Sequence, residues 1–478
     1  NLVEKAFKEP DRVKEVIDKT RTDGFITTLK SVKNKFEEPL ALGYCNVGEI
    51  VAIGEGIKTF EVGQRVVSNG YHAEYVAVSE NLCQKIPHDV DDLTAVFTVL
   101  GSIGLQGIRL SEPTLGETFL VSGLGLIGIL AAQLLKYNGC NVLAIDPEKK
   151  KCDLAERCGI KSFHLKSGSD PINWCLKNTN NIGVDGVLIT ASTKSSDPLD
   201  LAAKVSRLRG RIVLVGVTGM EIKRELFYKK ELSFQVSCSY GPGRYDPNYE
   251  KLGQDYPIGF VRWTEKRNFE AVLRAFSSRK VIVDNLISKY FSINEVAKAY
   301  ELLLNDFSAL GIVLKYPKQV KKTDFIEISK EKIDSNFVVD KNPKISFIGA
   351  GNYARKILIP SFVKAGAKFN FISSMSGVGP VFVGKKFNFK SATTNTQDIF
   401  NDKETNSIVI ASRHDSHAKY LLQGLKSGKN VFVEKPICLN LNELEEIKRY
   451  LFDKKISKKP LLMVGYNRRF APLILNLK

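Results

Sequence analysis

The sequence predicts an α/β protein built on two doubly wound parallel sheets, and three observations carry that expectation. Residues 119–122 form a short apolar run of the kind a buried strand shows, followed by Gly123, Gly125 and Gly128 at GxGxxG spacing. A Leu-, Ile- and Ala-rich helical stretch over 126–137 comes next, then a second strand over 141–145 that ends on Asp146. A strand over 345–348 likewise runs into Gly349, Gly351 and Ala354, a GxGxxA spacing that begins 226 residues after the first motif. Around both motifs, strand-like and helix-like stretches alternate, which calls for parallel sheets with ligands at the carboxyl ends of the strands.

The first motif suits a dinucleotide. Its first glycine makes the tight turn, the second lets the backbone approach a pyrophosphate, and the third lets helix and strand pack closely. The helix start, at Leu126 and Ile127, faces the anion with its backbone amides. Asp146 lies eighteen residues beyond Gly128, near the ~20-residue offset of a carboxylate that accepts a ribose hydroxyl.

A length of 478 residues exceeds what one core usually serves, so several domains are expected. A content of 43% hydrophobic and 26% charged residues is that of a soluble globular protein. No apolar run approaches a membrane span, and no signal-peptide pattern opens the chain. The eight cysteines are scattered without a CxxC pair, as in a cytoplasmic protein with reduced thiols. The net charge of +18 is spread along the whole length without a basic arm, so it reads as a lysine-rich surface. Neither nucleic acid nor membrane is an expected partner.

Taken in order, residues 1–35 read as a surface helix, with Val13, Val16 and Ile17 on one face. Short β-rich runs over 48–53, 64–68, 73–78 and 83–86 suit a small β unit. After the first motif come a strand over 185–190, a helix over 198–208, a strand over 210–216 and an extended segment over 232–239. Residues 240–257 form a Gly-, Pro- and Tyr-rich loop, with helices expected over 269–278 and 293–305 and a strand over 311–314. The charged stretch 317–343 reads as a linker. Beyond the second motif, strands are expected over 369–373, 407–411 and 430–433, and helices over 354–364, 417–427 and 441–452.

The segments GYCNVG (43–48), VAIGEGIKTFEVGQRV (51–66) and HAEY (72–75), followed by the dinucleotide unit, resemble the medium-chain dehydrogenase/reductase family. The resemblance implies a GroES-like catalytic domain over 1–97 and 246–316, interrupted by a Rossmann domain over 98–245. The first strands of that barrel are then expected upstream of residue 1. Zinc-using members carry His-Glu where this chain has Tyr44-Cys45 and a Cys where Thr98 aligns, and their four-Cys lobe has no counterpart here. A zinc-free member is therefore expected, with NAD as cofactor. Without a Lewis acid a carbonyl needs hydrogen-bond donors, and Tyr44 and His72 are the candidates. Tyr44 could instead fill the vacated metal pocket, and His72 could cap a turn. Two loops supply cations and aromatic rings suited to an anionic, sugar-like ligand: SCSYGPGRYDPNYE (237–250), with Arg244 and Tyr245, and RWTEKRN (262–268), with Arg262 and Trp263. The alternative for both is a rigid surface loop with solvated charges.

The segments GAGNYA (349–354), SIVIASRHDSHAKYLLQGLKSGKNVFVEKP (407–436) and GYNRRFAP (465–472) resemble the Gfo/Idh/MocA oxidoreductase family. That resemblance implies a second Rossmann domain over 344–436 and the start of the family's C-terminal region over 437–478, most of which is expected after residue 472. Gly349, Gly351, Asn352, Tyr353, Ala354 and Ser374 are the implied cofactor contacts. Glu434, Lys435 and Pro436 form the triplet where nicotinamide and substrate meet, with Lys435 as the acid/base. His417 reads as cofactor-side structure, with acid/base work as the alternative. With Ser373-Ser374-Met375-Ser376 after the second strand and no acid there, NAD or NADP is expected. Lys385 or Lys386 would approach a phosphate if the Gly-rich stretch before them folds back.

Both halves in this order look like the bi-domain oxidoreductases of bacterial polysaccharide and nucleotide-sugar gene clusters. The expected function is hydride transfer at two sites on a small sugar-like substrate, in a cytoplasmic homo-oligomer. The alternative is a dinucleotide-binding sensor or scaffold without turnover.

Overall fold

In the computed structural model, which describes residues 39–317, 323–329, 343–453 and 460–475, strands β1 (Asn46–Glu49), β2 (Arg65–Ser68) and β3 (Cys83–Lys85) form a three-stranded antiparallel sheet. The helix expected around Val13–Ile17 lies outside the described residues. Residues 73–78, expected as a strand, make no ladder; the His72 amide donates instead to the Leu42 carbonyl at 2.7 Å. The chain divides into two units, one spanning Ala41–Val320 and the other containing Lys321–Lys478.

After helix α1 (Thr98–Leu110), the first unit builds its large sheet from β4 (Thr118–Ser122), β5 (Asn141–Asp146), β6 (Lys161–His164), β7 (Val184–Ile189), β8 (Ser206–Leu214) and β9 (Ser233–Val236). All pair in parallel in the order β6-β5-β4-β7-β8-β9. This order reverses direction beside β4, which opens a crevice at the carboxyl ends of the strands. Covered on both faces, β4 is apolar without alternation in polarity. Phe119 and Val121 pack with Ile129, Leu130 and Val272 on one face, and Leu120 packs with Ile145, Val187 and Leu199 on the other. The covering helices are α2 (Leu126–Tyr137), α3 (Asp197–Val205) and α4 (Glu265–Ser277). The helix expected over 198–208 ends at Val205, because Ser206 already pairs with Val184 and Arg207 turns back to bond Asp185. The chain closes this unit with a parallel pair, β10 (Ile287–Ser292) and β11 (Gly311–Lys315).

In the second unit, the stretch expected as a linker contains a strand, β12 (Phe325–Glu327). It pairs antiparallel with β15 (Ser391–Thr393) at the sheet edge. The other strands are β13 (Lys344–Ile348), β14 (Lys368–Ser373), β16 (Ser407–Ile410), β17 (Asn430–Glu434) and β18 (Leu462–Gly465), in the order β12-β15-β14-β13-β16-β17-β18. Apart from β12, every pair is parallel and the direction reverses beside β13. Phe347 packs with Ile372 and Phe389 on one face, while Ile348 packs with Leu421 and Val433 on the other. The helical stretch over 354–364 opens as a π-turn, Ala354–Leu358, before Ile359–Lys364. Pro360 has no amide to donate to residue 356, so the i→i+4 ladder breaks there. Helices α5 (Val378–Phe387), α6 (His417–Lys426) and α7 (Leu441–Phe452) complete this unit. Among the described residues no helix is long and apolar enough to cross a membrane.

Candidate active sites

The first site is built on the turn after β4. Gly123 has φ +104, and a Cβ there would lie 2.6 Å from the Ala191 amide nitrogen; its own amide donates to the Ile145 carbonyl at 2.9 Å. A Cβ on Gly128 would lie 2.0 Å from the Gly123 carbonyl oxygen, so helix and turn touch there. Gly125 differs: a Cβ on it would meet nothing within 4 Å. It caps α2 without a side-chain bond, and Leu126 and Ile127 in the first helical turn are only partly buried. The helix therefore presents uncapped amides to open space, a cradle that fits the pyrophosphate of a dinucleotide. Asp146 is buried at 5% exposure, and its carboxylate accepts from the Leu124 amide at 2.6 Å and the Glu148 amide at 2.7 Å.

Tyr44 and His72 are brought close together. The chain turns at Gly43, φ +86, where a Cβ would lie 2.5 Å from the His72 ring, so the imidazole lies against the backbone next to Tyr44. Tyr44 is half exposed. Burial lowers the pKa of His72, which keeps its ring neutral at pH 7. The neighbouring side chains do not fit a zinc ion. Thr98 is fully buried and donates its hydroxyl to the Ala95 carbonyl at 2.6 Å. Among the described residues no three His, Cys, Asp or Glu side chains are grouped to hold a metal ion.

The two cation-rich loops part company. Arg244 is ion-paired with Glu250 and lies over the Tyr245 ring at 4.2 Å, while Tyr245 itself is 70% exposed. Asn69, just after β2, donates to the Tyr240 hydroxyl at 3.0 Å and ties this loop to the small antiparallel sheet. Trp263 lies at the other end of α1: Arg109 and Arg262 stack on its ring at 3.4 and 3.9 Å. Arg109 is nine residues along α1 from Leu100, which neighbours Cys45, about 13 Å of helix. The structure therefore does not bring Arg262 and Trp263 together with Tyr44 and His72. Sequence reasoning missed Glu265, which is fully buried with neither carboxylate oxygen bonded and whose pKa burial and nearby Glu250 raise to about 8. The only signal was an acid among cations at the start of an amphipathic helix.

In the second site Gly349 has φ +110, with a Cβ position 2.4 Å from the Ala411 carbonyl oxygen, and its amide donates to the Ser373 carbonyl at 2.8 Å. Gly351, like Gly125, faces open space. Asn352 accepts from Arg355 at 2.9 Å, and Ala354 is buried beneath the turn. Tyr353 accepts from Asn467 at 2.8 Å, a link that ties the glycine turn to the GYNRRF segment after β18. Ser374 lies partly exposed just after β14. The expectation that Lys385 or Lys386 folds back is corrected. The Gly-rich stretch is helix α5, Gly384 packs on Ile328, and both lysines sit in the last helical turn, about 10 Å from its start.

Glu434 ends β17 with one carboxylate oxygen unbonded, and burial raises its pKa. The Lys435–Pro436 peptide is cis, and the Lys435 side chain is exposed. His417, 1% exposed, has Nδ1 2.8 Å from the Pro436 carbonyl oxygen and Nε2 3.1 Å from that of Ser412. Both partners are acceptors, so the ring clamps the triplet to the loop after β16 rather than facing a ligand.

Comparison with known proteins agrees with this anatomy. Residues 19–101 match the alcohol dehydrogenase GroES-like domain, residues 127–253 the zinc-binding dehydrogenase family, and residues 344–465 the Gfo/Idh/MocA oxidoreductase family with its NAD-binding Rossmann fold. D-Guloside 3-dehydrogenase of Escherichia coli (strain K12) is 27% identical over 261 residues, covering 52% of this chain and 70% of its own length. L-Threonine 3-dehydrogenase of the same strain is 32% identical over 154 residues, covering 26% and 45%. The solved structure of the alcohol dehydrogenase TADH from Thermus sp. ATN1 aligns at 21% identity with a TM-score of 0.49, covering 59% of this chain and 87% of that one. Two dinucleotide folds that match different families thus stand in one polypeptide, and the chain is an NAD(P)-dependent oxidoreductase that fuses a medium-chain dehydrogenase/reductase unit to a Gfo/Idh/MocA-family unit.

Proposed function

We propose that the chain transfers hydride at two sites on a nucleotide-activated sugar, as part of bacterial polysaccharide biosynthesis. The observation that carries the reading is the presence of two glycine turns, at Gly125 and Gly351, each open to a ligand at the switch point of its own parallel sheet. A relative named as a D-guloside dehydrogenase supports a sugar-like substrate.

A bound nicotinamide supplies the hydride acceptor or donor; the side chains hold the substrate and move its proton. At the first site Gly123, Gly125, Leu126, Ile127 and Gly128 form the pyrophosphate cradle. Asp146 keeps free lone pairs for ribose hydroxyls and repels a 2′-phosphate, which favours NAD. Tyr44 donates a hydrogen bond to the substrate oxygen, and neutral His72 takes the alcohol proton as hydride leaves the carbon. Because Thr98 is committed to the Ala95 carbonyl and no three His, Cys, Asp or Glu side chains are grouped among the described residues, this chemistry runs without zinc.

At the second site Gly349, Gly351, Asn352, Tyr353 and Ala354 form the turn, and Ser374 stands where an acid would exclude a phosphate. NAD or NADP therefore fits. Lys435, set by Glu434, Pro436 and His417, exchanges the proton there. Arg244 and Tyr245 at one loop, and Arg262 and Trp263 at the other, are assigned to the substrate. A cytoplasmic homo-oligomer completes the reading. The test is formation of NADH on incubating the chain and NAD with a panel of nucleotide sugars. Silence across the panel would favour a dinucleotide sensor without turnover.

A further inference from the structure

Two of the arginines at the 237–268 loops are neutralised. Arg244 pairs with Glu250, and Arg267 pairs with Asp255 and bonds the Val261 and Tyr256 carbonyls. Arg109 and Arg262 are not. Their guanidinium carbons lie 3.4 and 3.9 Å from the centroid of one indole, that of Trp263. Two guanidinium planes at those distances cannot share one face of the ring, so they stack on opposite faces. Arg109 is held by one hydrogen bond, from Nε to the Asn268 side chain at 2.8 Å, and Asn268 is fully buried and bonded to the Tyr240 carbonyl. Among the described residues neither guanidinium makes an ion pair, and Arg262 makes no hydrogen bond.

Like charges placed so close, one of them half-buried, repel each other, and the stack compensates this only in part. Burial and the neighbouring Arg262 push the Arg109 guanidinium down to about 10. An anion that reaches both forks past the edge of the indole would relieve both costs, and guanidinium forks take phosphoryl oxygens in pairs. The two distances to the shared centroid put the guanidinium centres at most about 7 Å apart. That spacing asks for two linked negative centres rather than a single carboxylate.

We propose that Arg109, Arg262 and Trp263 form a binding site for a diphosphate group. The diphosphate belongs either to the sugar nucleotide that the reading above takes as substrate or to a free nucleotide acting as an effector. Only the first source rests on that reading; binding of the anion itself does not.

The chain has two tryptophans, and the other, Trp174, packs against Phe163 with ring centroids 5.1 Å apart. Trp174→Phe therefore leaves Trp263 as the only indole. With NAD saturating and ionic strength held constant with potassium chloride, inorganic pyrophosphate should change Trp263 emission saturably, with a Kd below ~1 mM. Arg262→Glu, on an exposed side chain, should abolish the change, and Arg109→Lys should weaken binding at least ~10-fold. UDP-glucose that competes with pyrophosphate places the diphosphate on the substrate. Pyrophosphate binding that saturating UDP-glucose leaves unchanged makes the ligand a free effector. No saturable change, or an equal change in Arg262→Glu, overturns the proposal. Neither result bears on NADH formation, so this site and the oxidoreductase reading fail separately.

Discussion

The Asp146 carboxylate accepts a 2.6 Å hydrogen bond from the Leu124 amide, tying the end of β5 to the glycine turn that follows β4. A residue expected from sequence only as a ribose acceptor is thus also a structural brace of the cofactor turn. Asp146→Ser should act on both roles. In a Gly351→Asp background, which isolates the first site, the unmodified carboxylate should bind NADH ~10-fold or more tighter than NADPH, and Asp146→Ser should narrow the gap. Leaving the buried Leu124 amide and the partly buried Glu148 amide without their acceptor should also cost ~1–3 kcal/mol of stability. Fluorescence titration and thermal melting read the two effects. Equal NADH and NADPH affinities that Asp146→Ser leaves unchanged would refute the assignment.

Gly125 and Gly351 each have empty space where a side chain would project. The chain should therefore bind two NADH molecules. Gly125→Asp and Gly351→Asp should each remove one, since the new carboxylate fills the cradle and repels pyrophosphate. Calorimetric stoichiometry decides this, and two bound NADH in either variant would mean that the turn is not where the dinucleotide sits.

Lys435→Ala should lower turnover at the second site by ~10²–10⁴ with little change in cofactor affinity, the scale of a positioned acid/base. Its neighbour His417, which bridges the Pro436 and Ser412 carbonyls, gives a contrast. His417→Ala should loosen the triplet and lower the melting temperature as well. Wild-type turnover in Lys435→Ala would leave the triplet a purely structural role.

Much of this anatomy was legible because its causes are local in sequence. A glycine turn, the strand before it and the helix after it are set by neighbouring residues, and both turns stand where the spacing placed them. What sequence hid depends on distant partners. β12 is three exposed residues whose strand character comes from pairing with β15, over 60 residues away. Arg109 meets Trp263 across more than 150 residues of chain. The Lys385–Lys386 pair misled for a related reason: glycines that suggest a flexible loop are tolerated in α5, where Gly384 lets Ile328 pack closely.

The purified chain should hold no stoichiometric zinc. A zinc site needs three or four converging ligands, whereas Thr98 is committed to the Ala95 carbonyl and no three His, Cys, Asp or Glu side chains are grouped among the described residues. Elemental analysis after dialysis against a weak chelator measures this directly, and about one zinc per chain would contradict it.

Glu265 should make the first unit less stable as pH rises. Its carboxyl is fully buried, with both oxygens unbonded and the ion-paired Glu250 nearby, so its pKa rises from 4.5 to about 8 on folding. Between those values the folded chain holds a proton there that the unfolded chain has released. The unfolding free energy therefore falls as pH increases through this window, opposite in sign to a paired carboxylate. The contribution is fully present below pH 4.5 and lost by pH 8, roughly a few kcal/mol in size. Glu265→Gln keeps the shape and removes the titration. Melting temperatures of wild type and Glu265→Gln should therefore diverge between pH 5 and pH 8, with the wild type losing ground as pH rises. Parallel curves across that range would mean that Glu265 ionises in the folded chain as it does in water.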